Sequence, residues 1–514
     1  MLRNILRSIF PKNNLDALIP AAVGFAIIFL YARHSGIGVS PDSVTYISVA
    51  RNIHTRGAFV DFDNRPLVIF PVLYSVFLSM MMFITNSDPL IFGTILNCFL
   101  FFIVIYVCGW LLEKLPYRSK WYKHIILSCV VLSPCLLEVY SMLWSETLFI
   151  LLLLLFFIAL RNYFIKLSIQ ALLIAGFIAA LSCLTRYAGV TLIGAGGLLL
   201  LFDRRLTIKK KIFHSAIFGL ISLSLVAINL VRNAIVSTTL TGFREKSITS
   251  LHDNISYVGS VLCDWLPLPK DQYFLSYCIT LITIVGCAAT LIYYVIKKNE
   301  FSSFENIFAA YFVTYALFII ISATFSRYEQ LSSRLFSASF IPFLFGSSYW
   351  FLTFIKKSFG IKKILIASVS ILIAIGFQYN QFQADNENYD GIKDAGIPGY
   401  TENPWYKDSE VANFIKENYK KFQPDYKLYS NGDDGVYFFT GLPCDALPHK
   451  INPKEIQDFY KKKYCYVIWM DDSDNPELIS LDEVLKNKKM ICLRKFNNGG
   501  IYVTDEIADN TKPW

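Results

Sequence analysis

The sequence of 514 residues predicts a polytopic α-helical membrane protein followed by a small α/β domain outside the bilayer. Hydrophobic residues make up 54% of the chain and charged residues 17%, which is more apolar than a soluble domain requires. Runs near or above 18 apolar residues, a length typical of spans, recur from Leu15 to about Tyr379 and then stop. We therefore predict a membrane domain over 1–380, with a large first outer loop over 34–89, and a soluble extracytoplasmic domain over 381–514.

About eleven segments are predicted to cross the bilayer, whose hydrocarbon core of roughly 30 Å needs about 20 helical residues. They are 15–33, 90–112, 124–142, 147–165, 168–184, 188–202, 212–231, 272–296, 304–325, 335–354 and 362–380. Arg186 and Tyr187 interrupt one long apolar stretch, so the fifth and sixth segments are short. The apolar run 67–84 follows Arg65-Pro66 and contains Pro71, and we place it outside the membrane because counting it would spoil the alternation of loop charge.

The charges between the apolar runs predict the sidedness of the chain. With eleven spans, every segment on the inner side is basic, as the positive-inside rule requires. The residues concerned are Arg3, Arg7 and Lys12; Lys114, Arg118, Lys120 and Lys123; Arg161 and Lys166; Arg204, Arg205, Lys209, Lys210 and Lys211; Lys297 and Lys298; and Lys356, Lys357, Lys362 and Lys363. We predict a multi-pass protein of the inner (plasma) membrane, with a cytoplasmic N-terminus, a retained signal anchor as first span and an extracytoplasmic C-terminal domain.

Several classes of function are disfavoured. The net charge of +9 lies largely in short clusters between apolar runs, so it indicates topology rather than a nucleic-acid partner. The sequence contains no Cys-x-x-Cys pair, Walker motif, His-Glu-x-x-His motif or serine elbow. A zinc protease, an ATP-driven pump and a standard serine hydrolase are therefore not expected.

Polar composition begins near residue 381 and predicts a Gly- and Asn-rich linker through Gly399. Beyond it, helical spacing and β-rich runs alternate, which predicts the α/β domain. Helices are predicted over 411–419 and 456–463, and strands over 427–430, 436–440, 464–469, 490–496 and 500–504.

The first outer loop opens with Pro41-Asp42-Ser43-Val44-Thr45-Tyr46 and continues with the spacing of a helix lying on the membrane surface. We predict that Asp42 is the N-cap of this helix, where a carboxylate satisfies free backbone N–H groups. The same carboxylate, held at the membrane surface, is also a candidate general base for a sugar acceptor hydroxyl. The two interpretations are compatible.

The motif Asp42-Ser43-x-x-Tyr46 directly after the first span resembles the first outer loop of the GT-C class of membrane glycosyltransferases. It is more narrowly similar to the bacterial protein mannosyltransferases and lipid A aminoarabinose transferases. Arg65-Pro66-Leu67 resembles the Lys/Arg-Pro-Pro-Leu motif of that branch without its second proline. Trp144-Ser145-Glu146 resembles its acidic residue at a span end, and 327–334 resembles its Arg-containing segment before a late span.

The resemblance implies an inverting glycosyltransferase that moves a sugar from a polyprenyl-phosphate-linked donor to a lipid, glycan or protein acceptor. It implies Asp42 as the general base and no certain cofactor, although Glu146 could orient an acceptor or hold a divalent cation. An arginine fork suits the phosphate of such a donor. The residues that we assign to substrate binding are Tyr46, Arg65, Glu146, Arg186, Tyr187, Arg327 and Arg334.

Each of these residues also has a structural interpretation. The outer arginines could snorkel or pair with Glu146 or Glu329, and Tyr46 and Tyr187 could belong to the interfacial belt of aromatic residues. Two other classes of function remain open, a lipid-linked-sugar transporter or flippase and a non-catalytic subunit of cell-envelope assembly.

Overall fold

The protein is described by a computed structural model covering residues 12–116, 118–242, 244, 246–266, 268–269, 271–326, 330–397, 399–400, 407–471 and 475–505. The chain divides into two compact units. The helical unit comprises Met1–Arg33, Val68–Tyr74 and Leu90–Asp394. The α/β unit comprises His34–Leu67, Ser75–Pro89 and Ala395–Trp514, so most of the first outer loop groups with the C-terminal region.

Fifteen α-helices lie between residues 18 and 395 in the described part of the chain. In chain order they are α1 (Leu18–Tyr31), α2 (Pro41–Arg56), α3 (Leu73–Thr85), α4 (Pro89–Leu112), α5 (Lys120–Val131), α6 (Pro134–Ser141), α7 (Glu146–Lys166), α8 (Ile169–Thr185), α9 (Val190–Phe202), α10 (Ile208–Ser237), α11 (Leu251–Trp265), α12 (Tyr273–Ile296), α13 (Phe304–Phe325), α14 (Ser333–Lys357) and α15 (Gly360–Ala395).

The described residues contain eight helices long and apolar enough to span a membrane, so the prediction of a polytopic helical membrane protein is confirmed. Helices α5 and α6 meet at a bend of 50°, and if they are counted as one span the described residues contain nine. The two remaining predicted segments are 168–184 and 188–202. They form α8 and the helix Tyr187–Phe202, which consists of a 3-10 turn and α9, and both are shorter than the ~20 residues of a full span. Helix α3 has 13 residues and is also short.

Two local features explain the broken spans. Pro134 occupies the first turn of α6, where its missing N–H and fixed φ suit a helix start and prevent α5 from continuing. Arg186 has extended backbone angles (φ −147°, ψ 140°) and separates α8 from the 3-10 turn before α9. The second break places a polar side chain at the junction of two apolar helices.

Packed aromatic rings mark the interior of the helical unit. The ring of Phe157 on α7 lies edge-on to Phe308 and Tyr311 on α13, at centroid distances of 5.2 and 5.3 Å. Other helices expose large apolar side chains, such as Leu220 on α10 and Leu372 on α15. Exposed apolar surface on this scale fits lipid better than water.

The α/β unit contains a five-stranded sheet. Its strands are β1 (Lys427–Ser430), β2 (Cys444–Ala446), β3 (Cys465–Met470), β4 (Met490–Phe496) and β5 (Gly499–Thr504), in the order β2-β1-β3-β5-β4. β1 pairs in parallel with β2 and β3, whereas β5 runs antiparallel to β3 and β4. The helices of this region are α16 (Glu410–Asn418), α17 (Asp433–Thr440), α18 (Pro453–Lys461) and α19 (Leu481–Asn487), and apolar clusters cover both faces of the sheet.

Two local predictions for this region are wrong. The run predicted as a strand over 436–440 belongs to α17, which carries Asp433 and Asp434 in its first turn and ends at Gly441 in the left-handed conformation (φ 70°). Both features favour a helix, through the dipole and the C-cap. The predicted linker after residue 381 instead continues α15 as far as Ala395. Its Asp, Asn and Gly residues have low helix propensity, but propensity is a weak effect, and a helix already formed in the apolar span extends at little cost.

Candidate active site

Asp42 lies in the first turn of α2, half-buried, but it is not the N-cap. The N-cap is Ser40, Pro41 is the first helical residue, and the hydroxyl of Ser43 accepts a hydrogen bond of 3.0 Å from the backbone N–H of Ser40. The capping prediction for Asp42 is therefore wrong by two positions. Its carboxylate still lies at the positive end of the helix dipole, which stabilises a negative charge.

The remaining predicted residues of the first loop lie in the same unit as Asp42. Tyr46 is on α2 and is buried, with 2% of its surface exposed. Arg65 pairs with Asp63 through Nε at 3.1 Å and with Asp445 of β2 through Nη2 at 2.8 Å. Asp445 also pairs with Lys427 at 2.6 Å. Through these contacts Arg65 has a structural role within the α/β unit. Its role in substrate binding stays a prediction.

Two acidic side chains of the α/β unit, Asp61 and Asp433, have raised pKa values. Burial, together with a hydrogen bond to Asp63, raises the pKa of Asp61 above its usual range. Burial and the neighbouring Asp434 carboxyl raise the pKa of Asp433 in the same direction. A carboxyl group with a raised pKa in the folded state favours folding at low pH, and that contribution is lost as the pH rises through the folded-state pKa.

We expect Asp61→Asn to stabilise the α/β unit relative to wild type by an amount that grows between pH 5 and pH 8. Between these pH values wild-type Asp61 stays protonated in the folded state and ionises in the unfolded state, which lowers stability. The amide does not ionise and avoids this cost, about 1 kcal/mol after allowance for solvent screening. Hydrogen exchange of the β3 amides in the full chain measures the difference. Asp482→Asn, at an exposed carboxyl of α19, is the matched control. If the difference in stability between Asp61→Asn and wild type becomes smaller as the pH rises, the expectation is wrong.

In the helical unit, the carboxylate of Glu146 lies between two guanidinium groups. Its Oε2 is 2.5 Å from Nη1 of Arg186, and its Oε1 accepts a hydrogen bond of 3.2 Å from Nε of Arg334. Arg186 also donates to Oγ of Ser145 at 3.0 Å. The side chain of Glu146 is 3% exposed, compared with 20% for Arg186 and 13% for Arg334. We call these three charged residues the Arg-Glu-Arg cluster.

Three helix ends build this cluster. Glu146 begins α7, Arg186 lies in the break after α8, and Arg334 is in the first turn of α14. The guanidinium of Arg334 also lies 3.7 Å from the ring centroid of Trp144, a cation–π contact that fixes its plane. The predicted residues Glu146, Arg186 and Arg334 are thus brought together, although they come from distant parts of the sequence.

Tyr187 lies beside this break and is anchored by hydrogen bonds. Its hydroxyl donates to the carbonyl of Val68 at 2.9 Å and accepts from Nδ2 of Asn233 on α10 at 3.1 Å. Asn233 is fully buried, and sequence reasoning missed it. Its signal was available, since Asn229 and Asn233 are one turn apart in an otherwise apolar helix, where buried amides need partners.

Two further predictions concern Arg327 and a metal ion. Arg327 lies outside the described residues. Among the described residues, no group of three or more His, Cys, Asp or Glu side chains is arranged to hold a metal ion. Both oxygens of Glu146 face guanidinium groups, which repel a cation.

No protein-family model matches the sequence, and no curated protein sequence matches it. Among solved structures, the aminoarabinose transferase ArnT from Cupriavidus metallidurans in its apo state aligns with a TM-score of 0.57 at 10% identity, over 94% of this chain and 97% of its own. The chain shares the GT-C fold of this structure. The same ArnT bound to undecaprenyl phosphate aligns with a TM-score of 0.52 at 10% identity, over 96% and 98% of the two chains.

A second protein with the GT-C fold is the oligosaccharyltransferase of Archaeoglobus fulgidus, solved with a tethered acceptor peptide. It aligns with a TM-score of 0.51 at 12% identity, over 90% of this chain and 70% of its own. The resemblance inferred from the short motifs is confirmed at the level of fold by these two proteins.

Within this GT-C fold, the chemistry open to the Arg-Glu-Arg cluster is recognition of an anion. Two arginines and one carboxylate leave one positive charge in excess, and the N-terminal ends of α7 and α14 add their dipoles. A planar guanidinium matches two oxygens of a phosphate group, and burial strengthens the interaction. Glu146 fixes both guanidinium groups in advance, which lowers the cost of ordering them around a ligand.

Proposed function

We propose that this protein is an inverting glycosyltransferase that moves a sugar from a polyprenyl-phosphate-linked donor to a lipid, glycan or protein acceptor on the extracytoplasmic face. The Arg-Glu-Arg cluster is the observation that carries this proposal. It concentrates positive charge at helix ends opposite the lysine- and arginine-rich connections, in a chain with a GT-C fold. The solved ArnT complex with undecaprenyl phosphate supports the lipid-phosphate class of donor.

In the proposed reaction, Asp42 accepts the proton of an acceptor hydroxyl as its oxygen attacks the anomeric carbon of the sugar. The bond between that carbon and the phosphate oxygen breaks, and the electron pair leaves with the polyprenyl phosphate. Attack from the face opposite the leaving group inverts the anomeric configuration. Arg186 and Arg334 stabilise the charge that develops on the departing phosphate.

The sidedness of the proposal follows from the charges of the connections. We assign the N-terminus to the cytoplasm and the C-terminal domain, 381–514, to the outer side, in a chain that crosses the plasma membrane over 1–380. The acceptor hydroxyl belongs to a lipid, a glycan or a protein, and the archaeal enzyme solved with an acceptor peptide supports the protein class.

We expect purified protein in lipid nanodiscs to release polyprenyl phosphate from at least one member of a panel of radiolabelled polyprenyl-monophosphate sugars. Each donor is incubated with a cell-envelope extract as the source of acceptors, and free carrier lipid is separated by chromatography. Protein inactivated by heat is the control for chemical hydrolysis. If folded protein releases carrier from none of the donors, the proposed reaction is wrong.

A further inference from the structure

A cavity of about 340 Å³, lined by charged and aromatic side chains, opens at the end of the helical unit that carries the lysine- and arginine-rich connections. Three basic side chains line it: Lys114 after α4, Arg161 near the end of α7, and Lys357 at the end of α14. With the lining carboxyls of Glu300 and Glu305, they leave one positive charge in excess. We call this space the basic-end cavity.

Two buried polar atoms in this cavity lack hydrogen-bond partners among the described residues. They are Nε of Arg161 and Oε2 of Glu305, whose residue is 3% exposed. Arg161 packs its guanidinium over the ring of Phe304 at 4.5 Å and is half-buried. A buried donor and a buried acceptor are both unfavourable without a partner, so a ligand that pairs with both would bind more tightly.

An apolar cavity of about 240 Å³ continues from the basic-end cavity, sharing Glu305 and Trp350 as walls. Helices α12, α13 and α14 line both cavities, and the apolar cavity is lined by residues farther from the basic end, such as Gly286, Phe312 and Pro342. A Cβ atom added at Gly286 would meet no atom within 4 Å. One end of the combined space is lined by charged side chains and the other by apolar ones, so the space would fit an amphiphile with a charged headgroup and an apolar chain.

We propose that the two cavities form a binding site for an anionic glycerophospholipid with a hydroxyl-bearing headgroup, such as phosphatidylglycerol. Its phosphate pairs with Arg161 and the two lysines, a headgroup hydroxyl donates to Oε2 of Glu305, and an acyl chain fills the apolar cavity. Basic pockets between membrane helices on the cytoplasmic side are favourable places for such headgroups. This site is at the opposite end of the helical unit from the Arg-Glu-Arg cluster and does not depend on the proposed transferase reaction.

Native mass spectrometry of the detergent-purified full chain tests the site, by titration with phosphatidylglycerol, phosphatidylcholine or polyprenyl phosphate. We expect phosphatidylglycerol to bind tightest, because phosphatidylcholine carries no net charge and no headgroup donor. The double variant Arg161→Gln/Lys357→Gln should weaken phosphatidylglycerol binding by about tenfold or more, given the loss of two basic contacts. Lys166→Gln/Lys356→Gln, at exposed neighbours that do not line the cavity, should leave it unchanged.

A second pair of variants leaves the charges intact. Gly286→Leu fills the apolar cavity and should also weaken binding, whereas Gly219→Leu adds the same side chain to α10, outside the cavity. Leucine has better helix propensity than glycine, so neither change is expected to unfold its helix. The proposal is wrong if phosphatidylglycerol and phosphatidylcholine bind equally well, or if the test and control variants bind phosphatidylglycerol equally well. It is also wrong if equimolar polyprenyl phosphate displaces phosphatidylglycerol.

Discussion

Replacing Asp42 by asparagine should lower the rate of sugar transfer by a factor of about 10²–10⁴, the range that general-base catalysis contributes. Asparagine has nearly the same shape but cannot accept the proton of the acceptor hydroxyl. Ser40 and Ser43 form the capping box of α2, and asparagine keeps a side-chain oxygen in its first turn, so the helix should stay intact. Release of labelled polyprenyl phosphate in nanodiscs measures the rate, and the melting temperature of the full chain measures the fold.

Two variants control this experiment. Asp42→Glu keeps a carboxylate at a shifted position and should retain more activity than Asp42→Asn. Asp482→Asn removes an exposed carboxyl of the same unit and should leave the rate unchanged. Turnover by Asp42→Asn within a factor of about three of wild type would exclude Asp42 as the base, since general-base catalysis contributes at least about 10²-fold.

Replacing Arg186 or Arg334 by glutamine should lower kcat/KM for the donor lipid by about 10- to 100-fold, through a higher KM for the bound phosphate and a lower kcat for its departure. Hydrogen bonds to a charged partner contribute about 1.5–3 kcal/mol, and the glutamine amide supplies neither the charge nor the fork. Arg186→Lys should recover part of the loss, because it restores the charge without the bidentate geometry. Initial rates at varied donor concentration give KM and kcat separately.

The matched control is Arg33→Gln, at an exposed arginine beyond the end of α1. It should change KM by less than about twofold, because an exposed charge interacts weakly with other groups through solvent. Unchanged KM and kcat in both glutamine variants would exclude these arginines from donor binding and from stabilising the departing phosphate. Equal effects from Arg33→Gln would exclude a specific phosphate contact.

The length of the apolar runs predicted the helical membrane fold, because burial in lipid leaves a strong and local signal in the sequence. All eleven apolar runs became helices, yet two of them are short and a third is bent. The signals for these breaks were also local, a proline at position 134 and an arginine at position 186. Composition averaged over a window of about 20 residues cannot weigh such single residues, which explains the difference in span count.

The candidate site was harder to predict, because it depends on contacts between distant segments. The sequence indicated Glu146, Arg186 and Arg334 as outer polar residues, but packing of α7, α8 and α14 had to bring them within hydrogen-bond distance. Arg65 shows the opposite case. Its pairing with Asp445 depends on a strand, β2, that was not predicted from the sequence.

The strand predicted over 436–440 failed for a different physical reason. Val436, Tyr437 and Phe438 have high β-propensity, but that preference is weak beside the effect of helix ends. Two acidic residues in the first turn and a left-handed glycine at the C-cap favour the helix.

The central claim is that the protein cleaves the donor rather than moving it intact across the membrane. The most direct test uses proteoliposomes loaded with a labelled polyprenyl-monophosphate sugar. The donor is taken from the nanodisc panel, acceptors are present on both sides, and sugar and carrier lipid carry different labels. We predict that wild-type protein separates the two labels, yielding free polyprenyl phosphate and a product of inverted anomeric configuration, and that Asp42→Asn does not. Recovery of intact donor in the opposite leaflet, with both labels still joined, would contradict a transferase and identify a transporter.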